Sequence, residues 1–258
     1  MHDHSTALGS ALGALVGESP PVVHTVHGPL HDRARRYYRL IQDAVHLVAI
    51  SESQRRLAPE IRFAGVVHNA VDLHEYPEAT RKEDFLLFVG RTSREKGPEV
   101  AVEVARRAGL PLVMVVKKAA PEERDHWDRH VAPLLNGDVE VLEDVNHEGK
   151  VDLFGRARAT LFPIRWEEPF GLVMIESMAC GTPVLAFPRG AAPEVVGQGV
   201  SGFLCRDADE MVRLVALVEE LAPERCRAWV KERFSSNTMV AGYEEIFRSI
   251  RPGRRSDR

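Results

Sequence analysis

The chain has 258 residues, enough to bury one large core or two modest ones, and two is the better reading at this length. Hydrophobic residues make up 44% and charged residues 28%, as in a globular protein, and a formal charge of -4 gives no electrostatic case for nucleic acid as the main partner. Three widely spaced cysteines without a CxxC pair argue against a disulfide framework or zinc site, and with no basic-then-apolar leader and no apolar run near the roughly 20 residues that span a bilayer, the expectation is a cytoplasmic protein.

In chain order, PVVHTVHG (Pro21 to Gly28), HLVAIS (His46 to Ser51) and AGVVHN (Ala64 to Asn69) read as strands. Between them LHDRARRYYRLIQDA and SESQRRLA read as helices, the second with Ser51 as its N-cap. YPEATRKEDF (Tyr76 to Phe85) breaks the rhythm with a proline and mixed charges, as a linker does. A second series begins with the strand FLLFVG (Phe85 to Gly90) and continues with a helix over 98–108, the strand PLVMVV and a helix from Pro121 to about Leu135. VEVLEDV, ATLFPI, PVLAF and GFLC follow as strands, with helices at HEGKVDLFGRA, Leu172 to Ala179 and near Pro193, and three helices close the chain. Such alternation predicts parallel sheets covered by helices, because parallel strands need crossover connections. The expected division is 1–75 for a first domain, 76–84 for a linker, 85–235 for a second domain, 236–250 for a helix crossing back to the first, and 251–258 for a disordered basic tail. In such sheets ligands bind outside the carboxyl ends of the strands, so motifs at strand ends carry most weight.

Two constellations stand there. In FVGRTSREKGPEV a strand ends at Gly90, Arg91 and Lys96 bracket a short loop, and Gly97-Pro98 opens a helix. Two cations beside a helix start suit an anion, a phosphate above all. Standing alone, the same residues read better as solvated loop charges. In EEPFGLVMIESMACGTPVLAF, Pro169 and Gly171 suit a tight turn into a helix whose positions 172, 175 and 179 face the core. The amides of Phe170, Gly171 and Leu172 then point to an oxygen-rich ligand. Glu168 precedes those donors and Glu176 lies more than a turn into the helix, where a carboxylate can accept bonds from vicinal sugar hydroxyls. A capping role for Glu168 and a solvated Glu176 fit these residues equally well.

Taken together, GRTSREKG followed by EEPFGLVMIESMACGTPVLAF resembles the donor-binding half of glycosyltransferase family 4, the retaining GT-B enzymes. Glu168 and Glu176 match the family's E-x7-E motif, GQGVSGFLC resembles its following glycine-rich segment, and VVHNAVDL resembles its linker motif. The resemblance runs from about Val22 to Ile250. It implies a fold of two Rossmann-like parallel-sheet domains and a nucleotide-diphosphate sugar donor of UDP or GDP type, with no cofactor and no metal site. Arg91 and Lys96 would neutralise the diphosphate, Glu176 would hold the ribose, and Glu168 with the amides of Phe170, Gly171 and Leu172 would hold the sugar and distal phosphate. Front-face attack, with the leaving phosphate helping to deprotonate the acceptor, would retain the anomeric configuration. His27 in HTVHG stands where the family often places a histidine beside the reacting sugar, so His27 and Glu168 are the implied catalytic residues. His24 reads as structural, and His2 and His4 lack the third ligand a metal site needs.

The front departs from the pattern. The HTVHG segment lies about twenty residues in, so the N-terminal acceptor domain reads as truncated, with three strands and an open edge that favours self-association or a partner chain. Two further functions stay open on sequence: a sugar-nucleotide-binding subunit or inactive fragment that needs a partner, and a nucleotide-sugar epimerase of the same architecture. The sugar, the base and the acceptor are not encoded in any motif that can be read directly.

Overall fold

The computed structural model describes residues 2–4, 21–79 and 81–250. They form two compact units, one from the residues up to Asn69 with those from Ser236 onward, the other spanning Ala70–Ser235.

In the first unit β1 (His2–Asp3), β2 (Val22–Val26), β3 (Val45–Ala49) and β4 (Phe63–Val66) lie parallel in that order. The helices α1 (Asp32–Ile41) and α2 (Glu52–Leu57) make the crossovers, and Ser51 caps α2 by accepting the Gln54 amide at 3.0 Å. Val22, Val26, Val45 and Leu47 pack on one face. On the other, Val23, Val48 and Val67 meet Tyr243 and Ile246 of the last helix, Ser236–Ser249. The expected three strands become four among the described residues. The extra one is too short and polar to show as an apolar run, and side chains fasten it to β2: Asp3 takes His24 Nδ1 at 2.8 Å and His2 meets Thr25 Oγ1 at 3.2 Å. The expected tail at 251–258 lies outside the described residues.

The second unit holds β5 (Leu86–Arg91), α3 (Pro98–Ala108), β6 (Leu112–Lys117), α4 (Pro121–His126), β7 (Val139–Glu143), α5 (His147–Arg156), β8 (Ala159–Phe162), α6 (Leu172–Ala179), β9 (Val184–Ala186), α7 (Ala192–Val195), β10 (Gly202–Leu204), α8 (Ala208–Val215) and α9 (Pro223–Arg233). Its six strands are all parallel in the order β10-β9-β8-β5-β6-β7. Leu86, Phe88, Leu112, Met114 and Leu161 share one buried face with Val104 of α3 and Met211 of α8. Leu87 is buried as well, which is why these strands read as unbroken apolar runs instead of alternating ones. Strand order reverses between β5 and β8.

Two details differ from the sequence reading. The helix expected over 121–135 is α-helical only to His126. Trp127–Val131 then forms a π-turn, with the Ala132 amide on Trp127 O, and Ala132–Leu134 a 3-10 turn. Trp127 and Val131 are both buried, and Pro133 lacks the amide an α-helix would require there. Residues 70–75, read with the first domain, pack in the second unit: the Val71 amide donates to Phe234 O at 3.0 Å, and Arg227 holds the carbonyls of Leu73 and Tyr76. Among the described residues no helix is long and apolar enough to cross a membrane.

Lys82 ties the segment before β5 to this unit, donating to Gly155 O at 2.8 Å, Cys180 O at 3.0 Å and Thr182 Oγ1 at 2.8 Å. Loss of water around the ammonium pulls its pKa down from 10.5 to about 8. Burial pushes the thiols of Cys180, Cys205 and Cys226 up from 9.0 to about 12. Above about pH 8 the unfolded chain therefore holds the Lys82 proton that the fold has released, and stability rises with pH on its account; toward about pH 9 the thiols act in the opposite sense, because the fold keeps protons the unfolded chain loses. Between about pH 8 and 9 the rise from Lys82 offsets the fall from the three thiols, so Lys82→Met is expected to make the urea midpoint drop with pH in that window more steeply than in the wild type. An unchanged pH slope in that window would contradict the assignment.

Candidate functional site

Two loops leave the carboxyl ends of β5 and β8, where the strand order turns back and a crevice opens. After β5 a 3-10 turn, Arg94–Lys96, leads through Gly97 into α3. Gly97 has φ +66, and a Cβ there would stand 2.4 Å from Pro163 O, so a residue with a side chain would force the loops apart. Glu95 O accepts the Arg165 amide at 2.8 Å. Lys96 Nζ pairs with Glu168 Oε2 across the crevice and lies 5.3 Å from the Trp166 ring centre. Trp166 Nε1 donates to the same Glu168 oxygen at 3.0 Å. The Lys96 and Glu168 side chains are 17% and 12% exposed, which screens their attraction less than at an open surface. The loop after β9 braces Glu168 from behind. There Ala191 N donates to Glu168 O at 2.9 Å, and Gly190, at φ +56, lies so close that a Cβ would be 2.2 Å from Glu168 N.

The helix α6 begins directly after this loop. Gly171 takes φ +88 before Leu172, and Phe170, 2% exposed, anchors the turn edge-on against Phe234 at 5.8 Å. Leu172 does not face the core as the spacing suggested. It is 46% exposed, at the margin of a buried face formed by Met174, Ile175 and Met178. Glu168 is not the cap of this helix, since Gly171 holds that position. In the second turn Glu176 Oε1 accepts the Tyr76 hydroxyl at 3.3 Å. Burial holds the Glu176 carboxyl above its usual range, against the opposing pull of Lys150, Tyr76 and His147.

Arg91 is the last residue of β5, one beyond the strand end read from the sequence, in register with Lys117. Its Nη1 donates to Glu123 Oε1 at 2.7 Å and its Nη2 to Glu95 Oε1 at 3.3 Å. Glu123, with a side chain 4% exposed, also accepts the amides of Ala119 and Ala120 at 2.8 and 3.2 Å. Arg91 and Lys96 thus each hold a different acid, and among the described residues no shared partner joins them. Beside Arg91, at the carboxyl ends of β5 to β7, Val89, Gly90, Val115, Val116 and Val145 line a cleft of about 470 Å³ together with Lys117, Asp144 and Lys150.

His27 belongs to the first unit, at the carboxyl end of β2. Its Nε2 meets His4 Nδ1 at 2.8 Å, and partial burial, with His4 nearby, holds its pKa below the usual histidine value. Gln54 donates to Val26 O and Gly28 O, both at 2.9 Å, and so fixes the backbone on either side of His27. Nothing in the SESQRRLA segment singles Gln54 out for this task. His24, 1% exposed, is bonded to Asp3 and to Tyr38 Oη at 3.4 Å. Among the described residues no group of three or more His, Cys, Asp or Glu side chains is placed to hold a metal ion.

The family described as glycosyl transferases group 1 matches residues 72–234. The chain belongs to that family. A D-inositol 3-phosphate glycosyltransferase of Nocardiopsis dassonvillei is 29% identical over 217 residues, which cover 71% of this chain and 51% of the relative. The corresponding protein of Mycobacterium avium is 28% identical over 251 residues, 84% of this chain and 58% of its own. The chain spans about half the length of the curated relatives it matches. Among solved structures, Anabaena HepE in complex with UDP superposes with a TM-score of 0.81 at 20% identity, over 95% of this chain and 77% of that one. AviGT4, a glycosyltransferase involved in avilamycin A biosynthesis, gives 0.70 at 29% identity, over 96% and 72%. The two parallel-sheet units have the GT-B fold of these glycosyltransferases.

Gly190→Ala tests the brace behind Glu168. It needs φ +56 and meets backbone atoms at 2.2 and 2.3 Å, so a loss of about 2 kcal/mol or more is expected in urea unfolding. A loss below about 0.5 kcal/mol would show that the loop can move away freely.

Proposed function

We propose that the chain is a glycosyltransferase whose second unit binds a nucleoside-diphosphate sugar in the crevice between β5 and β8 and whose reaction retains the anomeric configuration. The observation that carries this reading is the meeting of Lys96 with Glu168 across the crevice, directly before the start of α6. A cation, the opening amides of a helix and two carboxylates on one short segment are what a phosphorylated sugar needs for recognition. Lys96 and Arg91 face the diphosphate, which is the leaving group, and stabilise the charge that grows on it as the glycosidic bond breaks. Glu176 accepts the ribose hydroxyls. Glu168, with the amides of Phe170, Gly171 and Leu172, holds the transferred sugar and the distal phosphate. The cleft beside Arg91, where Val89, Val115, Val116 and Val145 stand among charged groups, suits the flat nucleoside.

The leaving phosphate takes the acceptor proton in this mechanism, so the protein supplies position and charge and forms no covalent bond to the sugar. His27 keeps the part that family resemblance gives it, a group at the reacting sugar. Anabaena HepE was solved with UDP and with UDP-glucose, which supports a uridine-type donor without fixing the base for this chain.

Glu176→Ala is expected to weaken binding of the nucleoside diphosphate by about 1.5–3 kcal/mol in calorimetry, the range for a hydrogen bond to a charged group. Unchanged affinity would remove Glu176 from the ribose. Arg91→Ala combined with Lys96→Ala should erode the preference for the diphosphate over the free nucleoside, whereas equal losses for both ligands would deny the cations a diphosphate role. In donor turnover assays His27→Ala should slow the reaction and leave donor affinity as it was; wild-type turnover would return His27 to a structural part.

A further inference from the structure

We infer that Tyr76 is a positioning residue for Glu176, holding the carboxylate in the place and the charge state that the ribose hydroxyls require. This rests on the donor-binding reading above.

Tyr76 stands before β5, far from α6 in sequence, and looks there like the start of a linker. In the fold it is 6% exposed, and its ring meets His147 of α5 edge-on at 5.3 Å. Arg227 of α9 holds the Tyr76 carbonyl and also the carbonyl of Ala179, the last residue of α6. One guanidinium therefore ties the Tyr76 backbone to the helix that carries Glu176. With ring and backbone both fixed, the hydroxyl donates to Glu176 Oε1 at 3.3 Å. Among the described residues nothing is bonded to Oε2, which stays available to a ligand.

The charge state matters as much as the place. An ionised carboxylate accepts from two vicinal hydroxyls, whereas a protonated one must spend an oxygen as a donor. Burial favours the neutral acid at Glu176. The groups that oppose burial are Lys150 and His147 on α5 and the Tyr76 hydroxyl from the segment before β5; Cys180, just past the end of α6, and Glu75, next to Tyr76, are further titratable groups nearby. Removal of one hydroxyl leaves Lys150 and His147 alone against the burial. The carboxyl then gains its proton at a higher pH and loses its grip on the ribose there.

Tyr76→Phe keeps the ring and the carbonyl that Arg227 holds, and removes only the donor. The test is calorimetry with UDP or GDP, whichever the wild type binds, beside its 2′-deoxy counterpart, across a pH series. The wild type should favour the ribonucleotide, and Tyr76→Phe should shrink that preference by about fivefold, the worth of one hydrogen bond. The acidic limb of ribonucleotide binding should move to higher pH. In a Glu176→Ala background, which has no acceptor for the hydroxyl, the same change should leave the remaining preference as it is, since the hydroxyl acts through the carboxylate. A variant that weakens both nucleotides alike, or keeps the full preference and the same acidic limb, overturns the inference while the donor reading stands. A wild type without any preference for the ribonucleotide, or without affinity for either diphosphate, removes Glu176 from the ribose and overturns both.

Discussion

The placement of β5 beside β8 is the constraint from which the candidate site follows. These strands are neighbours in the sheet although two other strands and three α-helices separate them in the chain, and the strand order runs outward from them in both directions. Loops leaving such a pair diverge to opposite sides and leave a crevice that no crossover helix fills. Here the loops are drawn back together by the Glu95–Arg165 backbone bond, by the close seat of Gly97 on Pro163 O, and by the pairing of Lys96 with Glu168. The site is thus set by topology first and only then by its charged residues.

Its cations are already occupied. Lys96 shares Glu168 with Trp166, and Arg91 is held by Glu123 and Glu95. On the proposed reading, a diphosphate entering the crevice would exchange one set of anionic partners for another. Glu176 is the exception among the acids, because its nearest bonded partner is a neutral hydroxyl and burial works against its charge. Its environment suits neutral donors such as hydroxyls better than cations.

Much of the fold was legible in sequence because the strands are buried on both faces and appear as compact apolar runs, such as FLLFVG and PLVMVV, between amphipathic helices. β1 was missed because two polar residues carry no period and its hold on β2 comes through His24 and Thr25, far along the chain. The helix break at Trp127 escaped because the buried pair Trp127 and Val131 satisfies the α-helical period as well as the wider π-turn. At the site, Glu168, Glu176, Arg91 and Lys96 were visible as motif residues beside strand ends. Tyr76 and Glu123 were not, since each acts on a residue that only the fold brings to it, and Trp166 was not, since nothing in the sequence shows its indole turning back on Glu168. Leu172 was misread because a short helix offers too few turns to fix where its buried face ends.

The most direct measurement is calorimetric titration of the chain with UDP and GDP beside uridine and guanosine. One diphosphate should bind more than about tenfold tighter than its own nucleoside, as charge-assisted bonds from Arg91, Lys96 and the helix start require. Equal affinities for diphosphate and nucleoside, or no binding of any of the four, would contradict a diphosphate site between β5 and β8.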